Sequence, residues 1–174
     1  MNNNSSRLLQ DCARTAHSLF QFQEVAIGIK SALDGKYHYE AFSGYTHEAE
    51  NEFRKCAYTY EQFFSPIDFP SIRITKFLDM KVAENQPGIE KEKKCWNRPM
   101  QLRDARKSAD EFTEGDYLDV FMFESGKDLL GWIEVSAPRD GKMPSGLTMR
   151  GLELFASITS MSLRTILRKQ GGSA

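Results

Sequence analysis

The part of the sequence that most constrains the fold spans residues 117–167, where two strands are followed by one long helix. Residues 117–123 and 129–137 are rich in β-branched and aromatic side chains, and the segment 125–128 between them is typical of a turn. The segment 139–145 contains Asp-Gly and a proline, which end a strand pattern. The sequence therefore predicts a β-hairpin that leads into a helix.

The predicted helix carries apolar side chains on two sides. At about 100° per residue, one stripe contains Leu152, Phe155, Ala156, Thr159, Leu163 and Ile166, and a nearly opposite stripe contains Leu154, Ile158 and Met161. A third, polar face contains Glu153, Ser157, Ser160, Arg164 and Arg168. One apolar stripe can bury against the sheet, so the other needs a second neighbour. We expect that neighbour to be another helix of this chain or a helix of a partner.

The segment G-W-I-E-V-S-A-P-R-D-G-K-M-P-S at 131–145, followed by L-E-L-F-A-S-I-T-S-M-S-L-R at 152–164, resembles the closing strand, turn and last helix of a GAF domain. The resemblance implies an α+β fold with an antiparallel sheet of five or six strands. It places the terminal helices on one face, and a covering helix plus a long loop on the other. Most GAF domains sense ligands or dimerise. A minority bind haem, bilin or cyclic nucleotides, or reduce free methionine sulfoxide.

The length of 174 residues suits a single GAF-like domain over 1–174. Its expected parts are an N-terminal helix in 1–22, the sheet with its covering helix and variable loop in 23–146, a C-terminal helix in 147–169 and a disordered tail in 170–174. The 23 basic and 24 acidic residues nearly cancel, which disfavours nucleic acid and anionic membranes as partners. The sequence lacks a spanning apolar run and a signal peptide, so we expect a cytoplasmic protein.

Upstream of the hairpin, the pattern predicts a first helix and three strands. The helix has a one-sided apolar face of Leu8, Leu9, Cys12, Ala13, Ala16, Leu19 and Phe20, a natural neighbour for the last helix. Strands are expected at 25–33 and 37–42, joined by a two-residue turn at Asp34-Gly35. Gly28 predicts a close approach to the backbone by a helix or a ligand. A third strand is expected at 71–80 with Ile72, Ile74 and Phe77 pointing inward.

A second amphipathic helix is predicted from Thr46 to Phe64. Its apolar stripe contains Ala49, Phe53, Cys56, Ala57, Tyr60, Phe63 and Phe64, which either fill a core or line a cavity. Residues 81–115 form a long charged connection, with a short strand expected at 100–102 and a short helix or loop at 103–112. The family resemblance implies that this connection forms the lid and one wall of a pocket.

The candidate ligand contacts are aromatic, basic and sulfur-containing side chains on the covering helix and the long connection. They are Phe53, Cys56, Tyr60, Phe64, Trp96, Arg98 and Met100. Arg73 is a weaker candidate, because its alternation with Ile72 and Ile74 points it away from their face. Trp132 is expected to pack on the sheet. These residues favour a non-catalytic sensory module that binds a small molecule, signals through its terminal helices as a homodimer, and acts on a separate signalling protein.

Three alternatives stay open at this point. The three cysteines show no C-x-x-C spacing, but Cys95 is flanked by Lys93 and Lys94, with Lys91 and Arg98 nearby. Positive charge lowers a thiol pKa, so Cys95 or Cys56 could serve a thiol-based redox sensor or a methionine sulfoxide reductase-like enzyme. The cysteine motifs of the family's reductases are absent, as are recognised catalytic motifs, which disfavours an enzyme. In the third alternative, the domain's own side chains fill the pocket, and the domain acts only as an interaction module.

Haem is the one cofactor that the residue types suggest. His38, His47 and Cys56 are the side chains able to supply an axial ligand to its iron. The N-K-F-D-E signature of cyclic-nucleotide-binding GAF domains and the P-R-x-S-F and D-I-P signatures of bilin binders are absent from the sequence. The cofactor therefore stays unknown.

Overall fold

The computed structural model describes residues 3–87, 93–124 and 128–171. Its helices are α1 (Asn3–Leu19), α2 (His47–Phe53), α3 (Tyr60–Phe63) and α4 (Gly146–Gly171). Its strands are β1 (Phe22–Lys30), β2 (Tyr37–Ser43), β3 (Ala57–Tyr58), β4 (Ile72–Thr75), β5 (Leu78–Lys81), β6 (Tyr117–Phe123) and β7 (Leu129–Pro138). The predicted turn at 125–128 and the end of the tail fall largely outside these ranges. No helix in the described ranges is both long and apolar enough to cross a bilayer.

The strands form one antiparallel sheet in the order β3-β2-β1-β7-β6-β5-β4. The predicted α+β architecture is confirmed, with seven strands in the described chain in place of five or six. The central strand β7 is buried along its whole length, because layers of structure cover both faces of the sheet.

The terminal helices α1 and α4 pack side by side on the first face, as predicted. Val25, Ile27 and Ile133 of the sheet are fully buried in the core beneath them. Phe20, the residue after α1, packs its ring against that of Phe155 in α4, with the centroids 5.7 Å apart. Burying these apolar side chains is the main stabilising contribution on this face.

The second apolar stripe of α4 faces away from the sheet. Leu154, Ile158 and Met161 are 63%, 54% and 60% exposed, so α1 does not cover them. Ser160, which was predicted on the polar face, is buried and donates a hydrogen bond to the carbonyl of Phe123 (2.8 Å). It lies there because α4 closes over the end of β6. The expected second neighbour of α4 is therefore not supplied by the described part of this chain.

The predicted helix from 46 to 64 is wrong as a continuous element. It is divided into α2, the short strand β3 and α3. Thr59 has an extended backbone (φ −76°, ψ 167°), and its hydroxyl accepts a hydrogen bond from the amide of Gln62 while the Gln62 side chain accepts one from the amide of Thr59. This capping box starts a new helix at Tyr60 and so prevents the first helix from continuing.

Three other predictions are corrected. Residues 71–80 form the hairpin of β4 and β5, with Ile72 and Ile74 at least 41% exposed on an edge strand. Residues 100–102 lie in a 3-10 helix (Pro99–Arg103) because Pro99 cannot donate to a strand ladder. Residues 31–36 form a turn, so Leu33 is exposed and does not lie on a strand.

The second face of the sheet is covered by α2, α3 and the segment 93–103, which we call the roof segment. Trp132 of β7 is fully buried there, and its ring stacks on Phe63 of α3 with centroids 3.9 Å apart. Gly28 lies opposite Trp132 on β1, and a Cβ at Gly28 would lie 2.5 Å from the indole. A close approach to the backbone does occur at Gly28, as predicted, but the approaching group is the Trp132 side chain of the neighbouring strand and not a helix or a ligand.

Candidate functional site

A row of buried carboxylates crosses the middle of the second face. Asp79 of β5 pairs across strands with Asp119 of β6, and Asp119 pairs with Glu134 of β7. Cross-strand partners share a face, so the three side chains point to the same side. Each residue is at most 2% exposed. Buried charge is costly unless it is paired, which makes this row an unusual floor for a protein core.

Two of the three carboxylates have well-defined partners. Asp79 forms an ion pair with Arg73 and accepts a hydrogen bond from the hydroxyl of Ser71 (3.1 Å). Glu134 accepts a hydrogen bond from the hydroxyl of Tyr39 (2.5 Å), and burial beside this carboxylate holds the pKa of Tyr39 well above its usual value.

Asp119 is different, because neither of its oxygens accepts a hydrogen bond from the residues that the structure describes. Burial raises the pKa of Asp119 to about 7, with Lys81 opposing this change and Asp79 adding to it. A buried acceptor without a donor costs about 1–3 kcal/mol. Asp119 is therefore a destabilising residue unless something else interacts with it.

Lys81, the last residue of β5, supplies a second positive charge near this row, besides Arg73. Its ammonium donates to the carbonyl of Phe69 (2.9 Å). It also lies 5.5 Å from the ring centroid of Phe63 and 5.6 Å from that of Phe69. Such cation–π contacts show that the surroundings already accept one buried ammonium group.

A small chamber of about 20 Å³ lies between the sheet and the roof segment, and of the three carboxylates Glu134 lines it. It is lined by Tyr39, Phe53, Tyr58, Phe63, Phe69, Lys81, Cys95, Trp96, Tyr117 and Glu134. This volume holds about one water-sized group. A larger ligand can therefore enter only if part of the wall moves.

An outer groove of about 620 Å³ runs along the other side of Trp96. It lies between α2 and the roof segment and is lined by Thr46, Glu48, Ala49, Lys93, Lys94, Trp96, Asn97, Pro99 and Met100. Trp96 lines both spaces, so its indole is a wall that they share. Its buried N–H has no hydrogen-bond acceptor among the described residues.

Two polar side chains hold the roof segment in place. Asn97 donates to the carbonyl of Gly44 (2.8 Å) and to Glu24 (3.0 Å), and it accepts from the amide of Thr46 (2.7 Å). Arg98 forms ion pairs with Glu114 (2.7 Å) and with Glu24 (3.5 Å). The two side chains together fix the backbone next to Trp96.

Glu24 is the buried end of this arrangement. Burial and the nearby carboxylate of Glu114 raise its pKa, while Ser136, Arg98 and Asn97 oppose the change. The roof segment is therefore held by oppositely charged groups that stabilise one another.

The seven predicted contact residues do not all come together. Phe53 and Trp96 line the chamber, and Trp96 and Met100 line the groove. Arg98 holds the roof segment, while Cys56 and Phe64 pack beside the aromatic cluster without lining either space. Tyr60 is 45% exposed on α3. Arg73 does point away from Ile72 and Ile74, as predicted, and lies over the ring of Phe121 at 5.4 Å.

The thiols and histidines also fall at different places. Cys95 is buried in the chamber wall, whereas Cys56 is partly exposed and its thiol contacts the carbonyl of Glu52 (3.6 Å). His38 pairs with Asp34 (2.9 Å), and His47 is exposed at the start of α2. In the described ranges, no three His, Cys, Asp or Glu side chains could hold a metal. Neither histidine lines the chamber, which is also far too small for haem in this conformation.

The row of buried carboxylates, and the buried Lys81 beside it, were not predicted from the sequence. Asp119 and Glu134 have apolar neighbours in β6 and β7, and Lys81 is the last residue of the buried strand β5. A strand that is buried on both faces must bury its polar residues too. Ionisable residues inside a two-sided strand were therefore the signal that could have found this site.

No protein-family sequence model matches the chain. No protein of curated function matches it by sequence either. Its structure is similar to that of a GAF domain/HD domain protein from Geobacter sulfurreducens, with a TM-score of 0.65, 11% identity, and 94% of each chain covered.

Two further solved structures show the same arrangement. The blue-light-absorbing form of the PixJ GAF domain from Thermosynechococcus elongatus has a TM-score of 0.59 and 12% identity, and covers 97% of this chain and 90% of that one. A type II free methionine-R-sulfoxide reductase from Thermoplasma acidophilum has a TM-score of 0.55 and 9% identity, and covers 93% of this chain and 94% of that one. The described chain therefore has the fold of GAF domains.

Proposed function

We propose that this chain is a sensory or regulatory GAF module that binds a small molecule on the second face of its sheet. The observation that carries this proposal is that Trp96 lines both the outer groove and the chamber. The fold also occurs in a light-absorbing receptor domain and in a reductase of a free amino-acid derivative. Enclosing a small molecule on this fold is therefore consistent with what similar structures do.

Movement of Trp96 is the step that would join the two spaces. Trp96 lines the groove and also the chamber, so a movement of its side chain would open one space to the other. Asn97 and Arg98 hold the backbone next to the indole, so ligand binding must break or rearrange their contacts. A ligand of this site thus selects an open arrangement of the roof segment.

The signal would leave through the terminal helices. Glu24 of β1 receives contacts from Asn97 and Arg98, and the same strand lies beneath α1. The exposed stripe of Leu154, Ile158 and Met161 supplies an apolar surface for a second copy of the chain. We propose a homodimer through these helices in the cytoplasm, which passes the change to a separate signalling protein.

Tryptophan fluorescence tests ligand binding directly, because the chain has only two tryptophans and both lie on this face. A Trp132→Phe variant leaves Trp96 as the only emitter, and a Trp96→Phe variant leaves Trp132. Titration with a metabolite library should give a saturable change in Trp96 emission for the true ligand. A true ligand, found by native mass spectrometry, that changes neither emission would show that binding occurs elsewhere.

Thiol chemistry is a second candidate, because Cys95 lies in the chamber wall. Timed alkylation with peptide mass spectrometry separates the two functions. The buried position of Cys95 predicts that it reacts more slowly than Cys56 and Cys12. Selective, rapid labelling of Cys95 at neutral pH would favour the redox function instead.

A further inference from the structure

We propose that the outer groove binds a small organic monocarboxylate, with its apolar body against Trp96 and Met100 and its carboxylate beside Lys93 and Lys94. This inference rests on the proposed function, because it names the chemical class of ligand for the same site. It follows from the charges along the groove, its apolar surface and one donor that lacks an acceptor.

The charged side chains that line the groove leave one positive charge in excess. They are Lys93 and Lys94 of the roof segment and Glu48 of α2, and all three are exposed. Two positive charges and one negative charge give the lining a net charge of +1 when all are ionised. A monocarboxylate balances this charge, whereas an organic cation would add to the excess.

The two ammonium groups of the roof segment are available to a ligand. Within the residues that the structure describes, neither Lys93 nor Lys94 forms an ion pair, and Glu52 of α2 pairs with Lys55 instead (2.7 Å). A carboxylate has about four acceptor sites on its two oxygens, enough for donors from both lysines. Hydrogen bonds between an ammonium and a carboxylate are also among the stronger ones in proteins.

The rest of the groove suits an apolar or aromatic body. Ala49, Trp96, Pro99 and Met100 line it, and the side chain of Met100 is 86% exposed. Methionine is flexible and polarisable and makes favourable contacts with aromatic rings. The volume of about 620 Å³ lies within the range of small-molecule sites, about 300–1,000 Å³.

The indole N–H of Trp96 favours a ligand that accepts hydrogen bonds. This N–H is buried and lacks an acceptor within the described ranges. The proposed function requires the indole to move when a ligand binds, and a moved indole can donate to a ligand in the groove that it lines. A carboxylate only accepts hydrogen bonds, whereas ammonium and guanidinium groups only donate them. The donor therefore favours a carboxylate over a cation.

Benzoate is the simplest probe, because benzamide and benzamidinium have nearly the same shape with no charge and with a positive charge. The Trp132→Phe variant, in which Trp96 is the only emitter, is titrated with each probe at pH 7.5 and equal ionic strength. The melting temperature of the wild-type protein is recorded with the same three probes. We expect a saturable change in Trp96 emission and a higher melting temperature with benzoate only.

Variants of the groove test which side chains hold the carboxylate. The double variant Lys93→Gln with Lys94→Gln should lower the affinity for benzoate about fivefold or more. Glu48→Gln should raise it about two- to fivefold, because a nearby negative charge is removed. The double variant Lys36→Gln with Lys142→Gln changes the net charge by the same amount at exposed positions outside the groove and should bind as the wild type does.

Three results would overturn the inference. They are equal or tighter binding of benzamide or benzamidinium, equal benzoate affinity in the Lys93 and Lys94 double variant and the wild type, and no response to any of the three probes. The proposed function would survive each of them if a metabolite of another class changed the emission of Trp96. It would fail separately if the true ligand changed that emission in no case.

Discussion

Asp119 and Glu134 lie directly opposite each other on β6 and β7, with both carboxylates buried on the same face of the sheet. Such a pair lowers the stability of the folded protein, since each carboxylate has lost its water. We therefore expect the pair to serve another purpose. Residues that bind ligands often carry this kind of cost. The pair is therefore the best single sign that the second face has a function.

Replacing Asp119 with asparagine should stabilise the protein at high pH. The pKa of Asp119 is raised to about 7 in the folded state, above its ordinary value of 3.8, so the folded protein binds a proton more tightly than the unfolded chain. Stability is then greatest below about pH 4 and falls as the pH rises towards 7. At pH 8, Asp119→Asn should raise the free energy of unfolding by about 1–3 kcal/mol. Urea unfolding from pH 4 to pH 8 measures this.

The advantage of this variant over the wild type should be lost as the pH falls from 8 to 4, because Asp119 is protonated in the folded state at pH 4 and its buried charge no longer costs stability. The exposed Asp11→Asn variant provides the matched control and should follow the wild type at every pH. A constant difference across the whole range would show that the charge of Asp119 is not responsible.

A side chain at Gly28 should disturb the floor of the second face. A Cβ at this position would lie 2.5 Å from the indole of Trp132, which is fully buried and cannot move freely. Gly28→Ala should lower the free energy of unfolding by about 1–3 kcal/mol through overpacking. Gly146→Ala is the control, since the nearest atom to its new Cβ is 3.8 Å away in a flexible arginine. Equal stability of the two variants would contradict the close packing.

Arg98 should be needed to hold the roof segment. Its removal leaves the buried carboxylates of Glu24 and Glu114 without their cation. Arg98→Ala should therefore cost about 2–3 kcal/mol of stability, somewhat less than a fully buried pair because Arg98 is partly exposed. Hydrogen exchange should also become faster at residues 93–103. In the double variant Arg98→Ala with Glu114→Gln, part of the loss should be recovered.

A surface pair provides the comparison for Arg98. Lys142 and Asp110 are both exposed and lie 3.7 Å apart, so Lys142→Ala should change stability by less than about 0.5 kcal/mol. Strict additivity of the Arg98 and Glu114 substitutions would show that the two side chains do not act together.

A charge on the outer stripe of α4 should weaken the dimer. Ile158 is 54% exposed and lies between Leu154 and Met161 on the helix surface. Ile158→Glu should shift the protein to monomer in size-exclusion light scattering, because a buried unpaired carboxylate opposes association. Asn51→Glu adds the same charge to α2 on the other layer and should leave the dimer intact. A wild-type monomer at every concentration would contradict the proposed dimer.

The hairpin of β6 and β7 and the helix after it were predictable because their patterns are local. Residues 117–123 are rich in aromatic and other strand-forming side chains, and the apolar stripe of Leu152, Ala156 and Leu163 repeats at helical spacing. Burial of an element against its neighbours requires apolar side chains at regular positions, and the sequence shows those positions directly.

The covering layer was less predictable because short-range hydrogen bonds override its periodicity. The apolar residues from Ala49 to Phe64 fit one helix, but the T-Y-E-Q sequence beginning at Thr59 forms a capping box and restarts the chain. That motif is visible in the sequence and could have corrected the prediction. The pairing of Ala57 and Tyr58 with β2 depends on contacts about 20 residues away, which no local pattern reports.

The chamber was the least predictable part. Phe53, Trp96 and Cys95 could be singled out by type, but their meeting point depends on the path of the roof segment. Lys81 and Glu134 come from strands far apart in sequence that become near neighbours only in the folded sheet.

Native mass spectrometry of the wild-type protein, after incubation with the small-molecule fraction of its host cells, tests the central claim most directly. The account predicts a bound small molecule that is lost on denaturation and is much reduced in a Trp96→Ala variant, because Trp96 lines both the groove and the chamber. A wild-type protein that carries no added mass, or one that carries the same adduct as Trp96→Ala, would contradict a ligand site bounded by Trp96.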